Sequence, residues 1–197
     1  HKEKSLKKAI VLKKIKSLLE DPSIKKVGQN IKFDFIVLKQ NGIEINPIED
    51  TMLISYTLDA GINRHNMDTL SEIHLGHKTI TFKELVGSGK NKLNFADIEL
   101  VKATEYAAED ADITLRLYEN LKERMDEEKL NKIYEYFEKP MVKLLAKLEY
   151  NGIKVDPSYL KKLSSQFEKK LKKMEKDIFA VAGKEVNIAS PKQLGEI

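Results

Sequence analysis

Tyr106-Ala107-Ala108-Glu109-Asp110-Ala111-Asp112 lies inside a long apolar-periodic stretch and sets a phenol and a carboxylate four residues apart. On a helix, positions i and i+4 share a face, so a hydroxyl stands beside an acidic group. Such a pair can hold a cation and align a water. The spacing alone is common, and it equally suits two ordinary exposed helix residues. A second stretch, Gln29-Asn30-Ile31-Lys32-Phe33-Asp34, supplies another carboxylate with a polar residue four places before it. Asp34 and Asp110 are then candidates to converge on one site. Phosphodiester cleavage with two cations roughly 3.5–4 Å apart needs several carboxylates, and hard oxygen ligands imply magnesium or manganese.

The surroundings fit a folded, soluble chain. At 197 residues, 41% of them hydrophobic, there is enough apolar material for a core in one domain or one and a part. The 34% charged fraction favours long, solvated helices. Net charge is +4 and comes mostly from lysine, which permits nucleic-acid binding without demanding it. Arginine occurs only at 64, 116 and 124. Arg64 stands out because its planar fork suits phosphate better than an ammonium does. The absence of cysteine excludes disulfides and thiolate metal sites and agrees with a reducing cytoplasm. No apolar run is long enough to span a membrane.

The periodicity predicts helices over 5–20, 30–40, 50–58, 67–75, 82–86 and 98–127, with short strands near 26–28 and 43–46. Asn30 is expected to cap the second helix. A further helical pattern, 130–150, contains Pro140, which should kink or break it. Asn151-Gly152 ends it, and Ile153-Lys154-Val155 reads as extended. Asp156-Pro157 then opens a helix to about Ala182, closed by Gly183. Ser190-Pro191-Lys192-Gln193 has the form of a capping box. Composition shifts near Asp126–Lys132, which divides the chain into 1–126 and 127–197. The lysines between 161 and 176 suit a solvated helix face.

Other motifs carry less. Arg64-His65-Asn66-Met67-Asp68 is a polar loop before a helix, where Asn66 or Asp68 can cap and Arg64 can hold a phosphate. His74 and His77 lack a third ligand. Gly87-Ser88-Gly89-Lys90 is not a nucleotide loop, because Glu84 and Asn91 occupy the positions where that pattern needs Gly and Ser or Thr.

Taken in order, these segments resemble the bacterial family A DNA polymerases along essentially the whole chain. Val27 to Asp34 resembles the second motif of their 3′–5′ proofreading exonuclease, and Tyr106 to Asp112 resembles the third. Asp50-Thr51-Met52-Leu53, Arg64 to Asp68 and His77-Lys78-Thr79-Ile80-Thr81-Phe82 follow in register. Glu138-Lys139-Pro140, Gly152 to Asp156 and Ser190 to Leu194 resemble the opening of the polymerase domain. The resemblance implies an α/β, ribonuclease-H-like exonuclease fold over 1–126, followed by long helices of the polymerase thumb. It implies two magnesium or manganese ions, with Asp110 on the more tightly held one, Asp34 serving the other and Tyr106 orienting the attacking water. Gln29, Asn30, Met52, Arg64 and Phe82 match positions that touch a frayed single-stranded DNA 3′ end. Phe33 stands where many relatives carry Tyr. A monomer in the cytoplasm is expected.

Two departures qualify this. The family's first exonuclease motif, an Asp-x-Glu on an early strand, is absent, and so are the catalytic motifs of the polymerase palm and fingers. The expectation is a fragment without its first strands, inactive by itself. A catalytically silent, DNA-carrying scaffold is one alternative, though the presence of Asp34, Tyr106 and Asp110 argues against it. An RNA-trimming exonuclease similar to ribonuclease D is another, and the polymerase-like segment from Glu138 to Leu194 argues against that.

Overall fold

The structure is a computed structural model and describes residues 6–89 and 92–195. It divides into two compact units, His1–Asn151 and Gly152–Ile197, each described by itself below.

In the first unit, α1 (Lys8–Glu20) leads to strand β1 (Lys26–Gly28), helix α2 (Ile31–Gln40), strand β2 (Ile48–Asp50) and helix α3 (Thr51–Asp59). Ser5, where the sequence reading began α1, lies outside the described residues. β1 and β2 run parallel in a two-stranded sheet, with Val27 opposite Glu49 and Gly28 opposite Asp50. The strand expected at 43–46 is not formed. Ile43 and Ile45 are buried as their alternation suggests, but they do so from an irregular segment. The strand falls instead on Ile48-Glu49-Asp50, where two buried acids hide the usual apolar signal.

The β1–α2 turn is tight. A Cβ on Gly28 would sit 2.9 Å from Ile31 Cγ1, so only glycine fits there. Asn30 adopts a left-handed conformation (φ 58°), which asparagine tolerates. Asn30 occupies the cap position of α2 but its side chain makes no cap bond. The cap comes from across the sheet. Asp50 Oδ1 accepts Asn30 N–H at 3.0 Å and Oδ2 accepts Ile31 N–H at 3.0 Å, while Oδ1 also accepts Met52 N–H at 3.0 Å in α3. One buried carboxylate thus closes the starts of two helices.

Helices α4 (Met67–Leu75) and α5 (Phe82–Val86) follow, then a 3₁₀ turn (Phe95–Asp97) and the long α6 (Leu100–Glu127). Thr81 and Glu84 form a reciprocal capping box on α5. Ile113, Leu117, Leu121 and Met125 recur every four residues on α6 and are all buried, with Ile54, Leu70 and Tyr134 against them. Each such side chain contributes about 1.5–3 kcal/mol relative to exposure.

Pro140 does not break its helix. A short α7 (Asn131–Ile133) passes through a π turn (Tyr134–Glu138) into α8 (Lys139–Asn151). The wider turn accommodates the proline's missing donor and its bulky ring. Val142 and Ala146 of α8 pack with Ile31, Phe35 and Ile48. That packing places α8 in the first compact unit, although the composition shift lies nearer Asp126–Lys132.

The second unit contains α9 (Pro157–Ala182) and α10 (Pro191–Leu194). Asp156 Oδ1 accepts Ser158 and Tyr159 N–H, and Gly183 closes α9 in the left-handed region. Ile153-Lys154-Val155 precedes it without forming a strand. Ser190 Oγ accepts Gln193 N–H, but Gln193 Oε1 accepts Asn187 N–H instead of closing a box on Ser190. Among the described residues no helix is long and apolar enough to cross a membrane.

Candidate functional site

Asp34, on the first turn of α2, and Asp110, midway along α6, line one cavity of about 630 Å³. Lys25, Gly28 and Gln29 of the β1 segment, Met67 of α4 and Ala107 of α6 are also part of its wall. Small residues at 107 and 111 leave the helix surface low between Asp110 and the strand. Asp110 Oδ1 is buried without a hydrogen-bond partner. Burial raises its carboxyl above the usual range, with Glu109 and Asp68 adding repulsion and Tyr106 opposing it. Asp34 opens to solvent on one side, yet the protein mass on the other also lifts its carboxyl. Both groups therefore lack the positive charge that would offset desolvation.

Tyr106 stands one turn before Asp110. Burial, and then the neighbouring Asp110 carboxylate, push its phenol up to about 12. It remains a neutral donor at any physiological pH. Its ring lies 6.2 Å from Phe82 and 6.2 Å from Phe95, both edge-to-face.

The remaining expected site residues are dispersed. The Gln29 amide is already engaged: Nε2 donates to His65 carbonyl at 2.7 Å and Oε1 accepts from Thr51 Oγ1. Asn30 and Met52 line a separate cavity of about 270 Å³ together with Lys32, Met141 and Leu145. Phe82 is 45% exposed beside Tyr106. Arg64 is exposed on the α3–α4 loop and makes no ion pair among the described residues, although it lines neither cavity. His65 holds its loop through Ser55, 2.9 Å from Nδ1.

Several residues bear on the site without standing out in the sequence. Thr79 Oγ1 donates to Asp68 Oδ1 at 2.7 Å, and Asp68 adds negative potential at Tyr106 and Asp110. Lys25 Nζ, on the cavity wall, donates to Tyr118 OH at 2.7 Å and lies 3.8 Å from Glu49. Beneath it, buried Glu49 accepts from Tyr134 OH and Lys139 Nζ, both at 2.9 Å. Only Asp68 had a sequence signal, as a helix-start acid. The loop Gly87-Ser88-Gly89 runs between α5 and the 3₁₀ turn, and Lys90 and Asn91 lie outside the described residues. His74 and His77 do not join a metal cluster. Among the described residues, no group of three or more His, Asp or Glu side chains could hold an ion.

The fold is a mostly helical α/β arrangement around a small parallel sheet, with Asp34 and Asp110 on one cavity. Residues 2–126 match the family model described as 3′-5′ exonuclease, and the chain belongs to that family, the exonuclease domain of the family A DNA polymerases. Among its relatives are proteins named DNA polymerase I. The one from Rhizobium leguminosarum is 48% identical over 94% of this chain and 18% of its own length. The one from Pseudomonas aeruginosa is 42% identical over 95% of this chain and 21% of its own length. The chain thus spans about a fifth of these relatives. In fold it is similar to a solved structure titled POL domain of Pol1 from M. smegmatis complex with DNA primer-template and dNTP, at TM-score 0.68 and 23% identity, over 96% of this chain and 30% of that one. It is also similar to Brucella melitensis NrnC, at TM-score 0.53 and 22% identity, over 74% and 63% of the two chains.

Proposed function

We infer that this chain is a segment of a DNA polymerase whose 3′–5′ exonuclease removes nucleotides from a single-stranded primer end, within a parent enzyme that extends DNA by template-directed nucleotidyl transfer. The observation that carries this reading is the shared cavity of Asp34 and Asp110, with Tyr106 one helical turn away. The family match over 2–126 and the relatives named DNA polymerase I support it. The division into an exonuclease part, 1–126, and the start of a polymerase part, 127–197, belongs to the same reading, as do a monomeric state and a cytoplasmic location.

A divalent cation fits the residues present in kind. The partnerless Asp110 oxygen and two carboxylates raised by desolvation are hard oxygen donors of the kind a divalent cation takes. Asp110 would hold one magnesium or manganese ion and Asp34 would serve the second. Bound ions would activate water and stabilise the leaving oxygen. Two carboxylates are few for that task, and no Asp-x-Glu pair precedes Lys26. The isolated chain should therefore bind cations weakly and cleave little. Tyr106 contributes a neutral phenol that can donate to or orient a water at any working pH. Phe82 offers an aromatic face to a base, and Arg64, without an ion pair among the described residues, a guanidinium to a phosphate. Gln29, whose amide is held by His65 and Thr51, is part of the cavity wall; Asn30 and Met52, on a cavity of their own, would meet the strand there.

The test is hydrolysis of single-stranded DNA and RNA with magnesium by a full-length polymerase carrying this segment, with and without Asp34→Ala. Loss of DNA trimming in the variant supports the reading. Trimming that persists, or that prefers RNA, refutes it.

A further inference from the structure

We propose that Phe95, with Lys92, forms a second base-stacking position beside Phe82, so that the aromatic wall takes two successive nucleotides of one strand. This rests on the reading of the chain as a segment that binds a single-stranded 3′ end.

Phe95 opens the 3₁₀ turn that leads into α6. Its ring runs nearly parallel to that of Phe82, with 16° between the planes and 6.3 Å between centroids. Both rings meet Tyr106 at 6.2 Å, with interplanar angles of 60° and 62°. The three rings thus form one triangular cluster instead of a lone stacking face. Phe95 is 42% exposed and Phe82 is 45% exposed, a costly display of aromatic surface unless something covers it.

The surroundings name the occupant. Lys92 Nζ lies over the Phe82 ring, 5.8 Å from its centroid, and puts a cation within the cluster, within reach of the phosphate of a stacked nucleotide. Beside Phe95 a groove of about 480 Å³ runs along α6, walled by Leu100, Ala103, Thr104 and Ala107. Ala107 also lines the Asp34–Asp110 cavity, so the groove and that cavity share a wall residue on α6. Flat apolar faces with one adjacent cation suit bases on a charged backbone, and they read no sequence. Two parallel rings provide for two bases where one ring provides for one.

The test is the affinity of the 197-residue chain for two-residue and four-residue oligothymidylates without divalent cation. Variants are Phe95→Ala, Phe95→Leu and Lys92→Gln. The parent should bind the longer oligonucleotide more tightly. Phe95→Ala and Phe95→Leu should remove that increment, roughly 5- to 100-fold, and leave the shorter one nearly unchanged. Leucine keeps the apolar bulk, so its loss of the increment reports the aromatic face and not misfolding. Lys92→Gln should flatten the salt dependence of the longer complex. If the Phe95 variants weaken both oligonucleotides by the same factor, Phe95 is only a buttress for Phe82 and the proposal fails. It fails too if neither affinity changes. If the parent binds neither oligonucleotide the proposal fails, whereas the functional reading beneath it fails only if the full-length polymerase keeps its 3′ trimming without Asp34 or Asp110.

Discussion

Glu109 Oε1 lies 2.7 Å from His77 Nε2, and this contact joins the residue next to Asp110 to the segment that carries Phe82. The other carboxylate oxygen accepts Ile80 N–H at 2.7 Å. Burial would raise the Glu109 carboxyl, but His77 and the Ile80 amide together outweigh it and hold it below the ordinary range. Glu109→Ala should free residues 77–81 from α6 and loosen Phe82 against Tyr106. We expect a cost of about 1–2 kcal/mol in stability and a loss of oligonucleotide binding larger than the fall in cation affinity that follows from removing a negative charge beside Asp110. Glu109→Gln keeps an acceptor for Ile80 and should lose less. Parallel titrations with oligothymidylate and with manganese check this, and an equal loss in both would refute it.

Tyr134→Phe tests the strut under the sheet. The Tyr134 hydroxyl accepts Asp50 N–H at 3.0 Å and donates to Glu49 Oε2 at 2.9 Å, in a fully buried setting. Phenylalanine would leave a buried amide unpaired. The expected cost is about 1–3 kcal/mol in urea unfolding. A loss below about 0.5 kcal/mol would show that the hydroxyl is dispensable.

Asp50→Ala removes the acceptor shared by the starts of α2 and α3. With about 0.5–2 kcal/mol for each cap, a total loss of roughly 1–4 kcal/mol is expected. Asp34 rides on the first turn of α2, so cation affinity should fall as well. Asp50→Asn keeps one acceptor oxygen and should be intermediate. Thermal melts with and without manganese separate the two effects.

The Asp34 and Asp110 shifts set the sign of a pH dependence. Burial raises both carboxyls in the folded chain above their ordinary value of 3.8. The native state then binds protons more readily than the unfolded state, and each group destabilises the fold above its raised pKa. That penalty disappears as pH falls through the raised value towards 3.8. Asp110→Asn should therefore be slightly more stable than the parent at pH 7, with the gap closing on acidification. Manganese should stabilise the parent more at pH 7 than near pH 4, and the variant little at either. Melting curves across pH with and without manganese measure both.

Much of this was legible from local chemistry. Asp156-Pro157 and Gly183 bound α9 because caps and a left-handed glycine act within a few residues. The four-residue recurrence of Ile113, Leu117 and Leu121 marked α6. The strand at Ile48-Glu49-Asp50 was hidden because its acids are buried only by virtue of Tyr134 and Lys139, some 85 to 90 residues away. The cap of α2 was misread for a similar reason, since Asp50 reaches it across the sheet. The π turn before Pro140 reflects tertiary packing of Tyr134, which no local pattern encodes. Asp34, Tyr106 and Asp110 could be singled out by spacing. The pairing of Glu109 with His77 and the place of Phe95 beside Phe82 could not, because these partners lie across loops.

The most direct measurement is 3′-end trimming of single-stranded DNA with magnesium by a full-length polymerase carrying this segment, comparing the parent with Asp110→Ala. Trimming should fall by at least about a hundredfold, with primer extension on a primed template preserved. Undiminished 3′ trimming in Asp110→Ala would contradict the assignment of the Asp34–Asp110 cavity as the hydrolytic site.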